Sequence, residues 1–501
     1  MIEGRPSGSR LSPSLSKSRF IAGLQCPLRL WHLCYSRQLA SPVSPAQQAI
    51  FEVGHEVGRL ATGLYPGGVL VKEGHFQHDK AVESTRTAIE DSGVPAIYEA
   101  AFVHEGVRVR VDILERLSTG GWNLIEVKSS TSVKQAHLPD VAVQRYVVQG
   151  SGQTIHQCGI LHLNNQYVYQ GGDLDLEALF SFSDLTEQIV ALEDDIPVKL
   201  GQLRKMLLHT SPPDVHPSRL CKTPYVCEFL EHCTRKKPEF WVMELSGISQ
   251  ERLDELAEMN VDDIKDIPES FPLTSIQTRI KDTVLSGTWY MDAGLADDLR
   301  NVEYPAHFLD FETIGAGIPR YAGTRPYQAL PFQWSDHVLH EDGTIVHWQY
   351  LCEKDEDPRE GFAISLLKAL GQKGTIFVFT MYEKEVIGQL AEFFPQYCDQ
   401  LLSTLDRFRD LHALIRKHVY HPDFHGSFSL KSILPALIPS MGYGDLAIQN
   451  GQHASVEYLR MLDADTSPEE RAEIQRGLLA YCANDTLGLV RIREELLKRI
   501  Q

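Results

Sequence analysis

Carboxylates embedded in apolar, strand-like runs set the tightest limits on how this 501-residue chain can fold. Asp112 stands in Val111-Asp112-Ile113-Leu114 and Glu126 in Ile125-Glu126-Val127-Lys128; Asp310 and Glu312 stand in His307-Phe308-Leu309-Asp310-Phe311-Glu312-Thr313. An ionised carboxylate in such surroundings is costly unless a cation or hydrogen-bond donors meet it. Side chains alternate along a strand, so Glu126 and Lys128 share one face, and so do Asp310 and Glu312. The fold must bring metal ions or basic side chains to those faces.

The remaining composition is that of a soluble globular protein, with 43% hydrophobic and 23% charged residues. Disorder, collagen-like repeats and a coiled-coil rod are disfavoured, and the length implies two or three domains. Lys and Arg total 48 against 67 Asp and Glu, a formal charge of −19. Taken globally that argues against a polyanion partner. Locally it does not, because some of the acidity is neutralised if embedded carboxylates hold divalent ions. Arg108, Arg110, Lys128 and Lys134 form the candidate basic patch. The start is polar and Ser/Pro-rich with no apolar segment, so no signal peptide is read there, and Ile2-Glu3-Gly4-Arg5 reads as a protease-site scar. Nowhere do 18 consecutive apolar residues occur, so no membrane helix is expected. A cytoplasmic location is the expectation.

Composition shifts divide the chain into a tail or tag over 1–14, a first domain over 15–238, a helical connector over 239–303 and a second domain over 304–501. In the first domain the periodicity predicts a helix over 47–62 and strands over 96–103, 107–117, 122–127 and 159–168, with Gly106 and Gly120-Gly121 as hairpin turns. In the second, strands over 307–311, 332–337, 345–351 and 375–380 precede a helical half. Both read as α/β.

Nine cysteines are too few and scattered for a secreted disulfide scaffold. Cys221, Cys227 and Cys233 recur at six-residue steps, one thiol short of the four that tetrahedral zinc or an iron–sulfur cluster prefers. Cys26, followed by Pro27, is the best fourth ligand and Cys34 the runner-up. Such a set would staple both ends of one domain, and spacing leaves zinc and iron–sulfur open. Cys158, Cys352, Cys398 and Cys482 sit in apolar contexts and read as small buried hydrophobes.

Asp112, Glu126 and Lys128 could hold a divalent ion, position a water and place positive charge near a developing phosphorane. Glu-X-Lys alone more often marks an edge-strand ion pair. With its surroundings, this half resembles the RecB-like branch of the PD-(D/E)XK nucleases, especially the iron–sulfur exonucleases of CRISPR adaptation. His55 stands at that family's helical histidine, Glu99 at its optional first carboxylate, Asp112 at the aspartate, Glu126 and Lys128 at Glu-X-Lys, and Gln144 at the downstream glutamine. Val148 replaces the family's usual tyrosine, with Tyr146 as a substitute. The resemblance implies a restriction-endonuclease-like core, a metal held by His55, Asp112 and Glu126, and a [4Fe–4S] cluster on Cys26, Cys221, Cys227 and Cys233.

Asp310 and Glu312, with Tyr481 and Asp485 four apart on a predicted helix, supply acidic groups from separate elements, as two-metal phosphoryl transfer requires. This half resembles the RNase H-like DEDD exonucleases of the tyrosine subtype, and a bacterial domain family without assigned activity that is often fused behind RecB-like nucleases. Ala480 excludes the histidine subtype. For the middle motif Thr380 stands for the usual Asn and Glu383 for Asp, with Asp410 as the alternative ligand. Lys431 could meet a phosphate, and Phe428 and Tyr443 could stack on bases or pack in the core.

Together these readings give an α/β protein with two nuclease heads using Mg²⁺ or Mn²⁺. The first would cut DNA, and the second would trim 3′ ends of single-stranded DNA or RNA through Asp310, Glu312, Glu383 and Asp485. The alternative is a nucleic-acid-binding scaffold with one active head. A zinc-stapled regulator without nuclease function requires both acidic sets to be coincidental.

Overall fold

A computed structural model describes residues 14–500. Ile2-Glu3-Gly4-Arg5 and all but Ser14 of the expected tail lie outside the described residues. The chain is mixed α/β and forms two compact units, one of residues 1–236 with 317–326, the other of 237–316 with 327–501. Among the described residues no helix is long and apolar enough to cross a membrane.

The first unit is built on one mixed sheet of β1 (Leu15–Ser16), β2 (Val69–Leu70), β3 (Ala96–His104), β4 (Val107–Arg116), β5 (Trp122–Lys128), β6 (Ile155–Leu163) and β7 (Phe180–Asp184). Strands β2 to β7 lie in sequence order, and β1 adds to β4. The β3–β4 turn uses Gly106 and the β4–β5 turn Gly120 and Gly121, all at positive φ, as short hairpins require. Helices α1 (Lys17–Gln25), α2 (Pro27–Tyr35), α3 (Pro45–Thr62), α4 (His78–Glu90) and α5 (Leu138–Gly150) flank it. Alternate residues of the strands feed two cores. Val107, Val109 and Val111 pack with α4 and α5 residues, whereas Ile113 and Ile125 pack with Val57 and Ala61 of α3.

Two local features shape this sheet. β4 and β5 pair from Arg116↔Trp122 as far as Ile113↔Ile125 and part beyond it, at Asp112 and Glu126. Opposite Asp112, Glu99 sits at φ 56° in the middle of β3, a left-handed conformation that costs a non-glycine residue of order 1–3 kcal/mol.

The second unit contains a five-stranded sheet of β9 (Ala306–Ile314), β10 (Leu330–Leu339), β11 (Ile345–Leu351), β12 (Ile376–Val378) and β13 (Phe408–Asp410), in the order β11-β10-β9-β12-β13. β10 runs antiparallel to β9 and β11, while β12 is parallel to β9 and β13. A short ribbon pairs β8 (Tyr290–Met291) with β14 (Val419–Tyr420). Phe308 packs on one face with Leu489 and Leu496 of the long helix Pro468–Arg499; Leu309 and Phe311 pack on the other with Phe362 and Leu390. By alternation Asp310 and Glu312 share the long helix's side. That helix buries Leu478, Cys482, Asp485, Leu489, Ile492 and Leu496 at steps of three or four, and Tyr481, Thr486 and Arg493 beside them, so its apolar stripe carries polar groups into the packing.

Residues 239–303, expected as a connector, are an integral part of this unit. Helices Gln250–Glu258 and Ser275–Ser286 contribute Leu253, Leu256, Ile280 and Val284 to the core that holds Phe308 and Leu489. A helical pattern alone does not reveal which neighbour the helices pack on.

Candidate functional sites

The first unit gathers its charged groups at the β4/β5 fork. Glu126, 2% exposed, accepts from Lys17 Nζ at 2.9 and 3.1 Å, Lys128 Nζ at 2.6 Å and Gln144 Nε2 at 2.8 Å. Lys128 also reaches Asp140 Oδ2 at 2.7 Å, and Lys17 lies 3.4 Å from Asp140 Oδ1. Asp112 Oδ2 accepts the Val127 backbone N–H at 2.7 Å. Burial, and then the charge of Glu126, push the Asp112 carboxyl up to about 7. Glu126 moves the other way: Lys17 and Lys128 outweigh its burial and hold it well below the usual carboxylate range. Two neighbouring carboxyls with opposed proton affinities are an arrangement common at functional sites.

Asp112, Glu126, Lys128 and Gln144 are thus brought together, and Lys17 and Asp140 join them without having been read as site residues. His55 is exposed on α3 and makes no hydrogen bond or ion pair among the described residues; α3 buries Val57 and Ala61 instead. Glu99 lies 3.9 Å from Arg110. Tyr146 does not stand in for the missing tyrosine, because its hydroxyl bonds Glu105 at 2.9 Å, and Val148 is fully buried in the core. In the proposed basic patch Lys128 pairs closely with Glu126 and Asp140, Arg108 meets the exposed Asp79 at 3.6 Å and Arg110 meets Glu99 at 3.9 Å.

Cys26, Cys221, Cys227 and Cys233 lie close enough to perturb one another: Cys26 and Cys221 each act on Cys233, Cys26 acts on Cys221, and Cys221 acts on Cys227. Cys34 takes no part in this set. All nine thiols are free. Burial pushes Cys227 up to about 11 and raises Cys221 and Cys233. Opposing this, the Ser218 backbone N–H points at Cys221 Sγ, 3.4 Å away. The loop is clasped by Gln25, whose Nε2 donates to the carbonyls of Leu220 and Tyr225 at 2.6 and 2.7 Å, and by an Arg29–Glu228 pair at 2.8 Å. Tetrahedral zinc holds thiolates about 2.3 Å from the ion, hence about 3.8 Å apart. Among the described residues the ligand set converging within 4.8 Å is Asp310, Glu312 and Cys482, not these cysteines.

In the second unit a cleft of about 700 Å³ is lined by Asp310, Glu312, Glu383, Tyr481 and Asp485, together with Lys431, Tyr443, Phe428, Arg416 and Thr380. It opens where β9 runs on past β12, whose pairing with it ends at Phe377↔Phe308. The carboxyl ends of parallel strands are where open α/β sheets place ligands. Glu383, in the first turn of the helix Tyr382–Phe393, is 3% exposed and its Oε2 has no hydrogen-bond partner. Tyr443 donates to Asp485 Oδ1 at 2.5 Å. Cys482 lies 3.7 Å from Asp310 Oδ2.

These carboxyls hold their protons tightly. Burial, reinforced by Asp485 and Glu383, raises Glu312 to about 8. Burial and Asp410 raise Glu383 to about 8. Burial alone outweighs the Tyr443 hydrogen bond and Lys431 to bring Asp485 to about 6. Asp310 is raised well above its ordinary value by burial and by all three of the others. Such a set ionises readily only when a cation enters it. Of the two middle-motif candidates, Glu383 lines the cleft, whereas Asp410 caps the helix Leu411–His418 by accepting from the Ala413 N–H at 2.7 Å. Phe428 and Lys431 both line the cleft. Tyr443 does so as an Asp485 partner, a role its sequence context did not indicate.

A domain of unknown function, DUF2779, matches residues 307–429. The match takes in Asp310, Glu312 and Glu383 and ends before Tyr443, Tyr481 and Asp485. No curated protein matches the chain.

Proposed function

We propose that this chain is a divalent-metal-dependent nuclease with two heads, the second an exonuclease acting on single-stranded DNA or RNA. The observation that carries this reading is the convergence of Asp310, Glu312, Glu383 and Asp485, from a strand and two helices, on one cleft that also holds Tyr481. The strand order, third-second-first-fourth-fifth with the second antiparallel, supports an RNase H-like fold. In the first unit the run α4-β3-β4-β5-α5-β6, with the acidic pair at the fork, supports a restriction-endonuclease-like core. The four grouped cysteines support a [4Fe–4S] staple.

In the second head Asp310, Glu312, Glu383 and Asp485 would hold Mg²⁺ or Mn²⁺. Bound divalent ions supply a lowered water pKa and charge stabilisation for a phosphodiester transition state. The chain's own groups do the rest. Tyr481, 4% exposed, offers a hydroxyl to orient the attacking water, and Tyr443 fixes Asp485. Lys431, attracted by Glu312 and Asp485, places positive charge where a phosphate would lie. Phe428 presents a ring on which a terminal base can stack. In the first head Asp112 and Glu126 would hold the ion, and Lys128 would neutralise developing charge.

Glu126→Ala and Asp310→Ala, each assayed on 5′- and 3′-labelled single and double strands with MnCl₂, test the assignment. Each change should abolish one component of degradation and spare the other. Degradation unaffected by either change would overturn both site assignments.

A further inference from the structure

Every acceptor position of Glu126 is taken. Lys17 Nζ contacts both oxygens, at 2.9 and 3.1 Å, Lys128 adds a second donor to Oε1 and Gln144 a second to Oε2. A carboxylate offers about four lone-pair positions, so an ion can reach Glu126 only by displacing a donor. Gln144 is fully buried on α5 and cannot leave. Lys128 and Lys17 are similarly exposed, at 25% and 23%, but Lys128 is anchored a second time by Asp140 Oδ2 at 2.7 Å, whereas Lys17 lies 3.4 Å from Asp140. Lys17 also arrives from 109 residues away in sequence, as the first residue of α1. Its flexible four-carbon stem lets the ammonium swing to water while α1 stays docked.

We propose that Lys17 is an exchangeable counter-cation of the first site, whose ammonium occupies the face of Glu126 that a divalent ion needs and withdraws when the ion binds. The proposal rests on the metal-site reading above. No covalent bond changes: Glu126 trades two charge-assisted hydrogen bonds for the ion, and the ammonium is rehydrated. Asp140, 3.4 Å from Lys17 and 2.7 Å from Lys128, keeps one lysine partner throughout. The site would therefore fill only above a threshold concentration of divalent ion, set by competition within the chain.

The test is calorimetric titration of the full-length protein with MnCl₂ in an Asp310→Asn/Asp485→Asn background, which silences the second cleft. Lys17→Met should bind Mn²⁺ about tenfold or more tightly than its parent, since the ion no longer has to displace the charge-assisted Lys17–Glu126 contacts. Lys17→Arg should retain the weaker binding, and Glu126→Gln should abolish it. If Glu126→Gln abolishes binding but Lys17→Met does not tighten it, the exchange is wrong and the metal site stands. If Glu126→Gln leaves Mn²⁺ binding unchanged, the metal-site reading fails as well. A readout on the unsubstituted protein is independent of variant folding: acetylation of Lys17, followed by mass spectrometry, should rise several-fold with MnCl₂. A constant or falling yield would overturn the exchange.

Discussion

The burial of Glu383 makes a quantitative prediction for stability without metal. Its carboxyl is 3% exposed, one oxygen lacks a partner, and burial reinforced by Asp410 raises it from 4.5 to about 8. The folded state then binds this proton more tightly than the unfolded chain does, so stability falls as pH rises from about 4.5 to 8 and stays low above that. At about 1.4 kcal/mol per pH unit, the loss by pH 8.5 is on the order of 5 kcal/mol. Glu383→Gln keeps the shape and removes the titration. For a unit of this size 1 kcal/mol moves the midpoint about 2–4 °C. In EDTA the variant should therefore melt about 10 °C or more above the parent at pH 8.5 and level with it at pH 4.5. Scanning calorimetry across that range measures the difference between variant and parent, which cancels titrating groups that do not face Glu383; Asp310 and Glu312, which its charge also raises, shift in the same stabilising direction when it is removed. Adding MnCl₂ at pH 8.5 should stabilise the parent more than the variant. A variant that melts at or below the parent at pH 8.5 would refute the claim that Glu383 is held there as a buried charge with one oxygen unpartnered.

Three further outcomes follow from the geometry. Tyr443→Phe removes a hydrogen bond that holds Asp485 down, so the acidic limb of the second head's pH–rate profile should move to higher pH. Protein purified without oxygen should be brown and contain iron; Cys26→Ser, Cys221→Ser, Cys227→Ser and Cys233→Ser should each lose it, while Cys34→Ser keeps it. A colourless, iron-free parent would sink the cluster. Arg108→Ala should weaken nucleic-acid binding several-fold and reduce its salt dependence, because the 3.6 Å pair with Asp79 joins two exposed side chains and phosphate can displace it; unchanged affinity in a filter-binding assay would show that Arg108 does not meet nucleic acid.

The sequence was most legible where a local rule forces the outcome. Asp112, Glu126, Asp310 and Glu312 stood out because a carboxylate among β-branched and aromatic neighbours needs a partner, and alternation fixed which of them share a face. The strand runs near 96–104, 107–116, 122–128 and 345–351 followed from the same period of two. What stayed hidden depends on long-range assembly. Lys17 meets Glu126 only because β1 pairs with the first residues of β4; nothing near Lys17 announces it. Tyr443 reaches Asp485 across 42 residues. The choice between Glu383 and Asp410 needed the helix cap, whose one-turn geometry makes Asp410 a backbone acceptor. Residues 239–303 read as a spacer because an amphipathic helix does not name the core it joins.

The central claim is that the second cleft is built around divalent cations, and anomalous diffraction from crystals soaked in MnCl₂ tests it most directly. Manganese peaks are expected among the carboxylates of Asp310, Glu312, Glu383 and Asp485, with two ions about 3.5–4 Å apart and Glu383 Oε2 no longer without a partner. A cleft free of anomalous density at pH 8.5, with the four carboxyls hydrogen-bonded to one another, would contradict it.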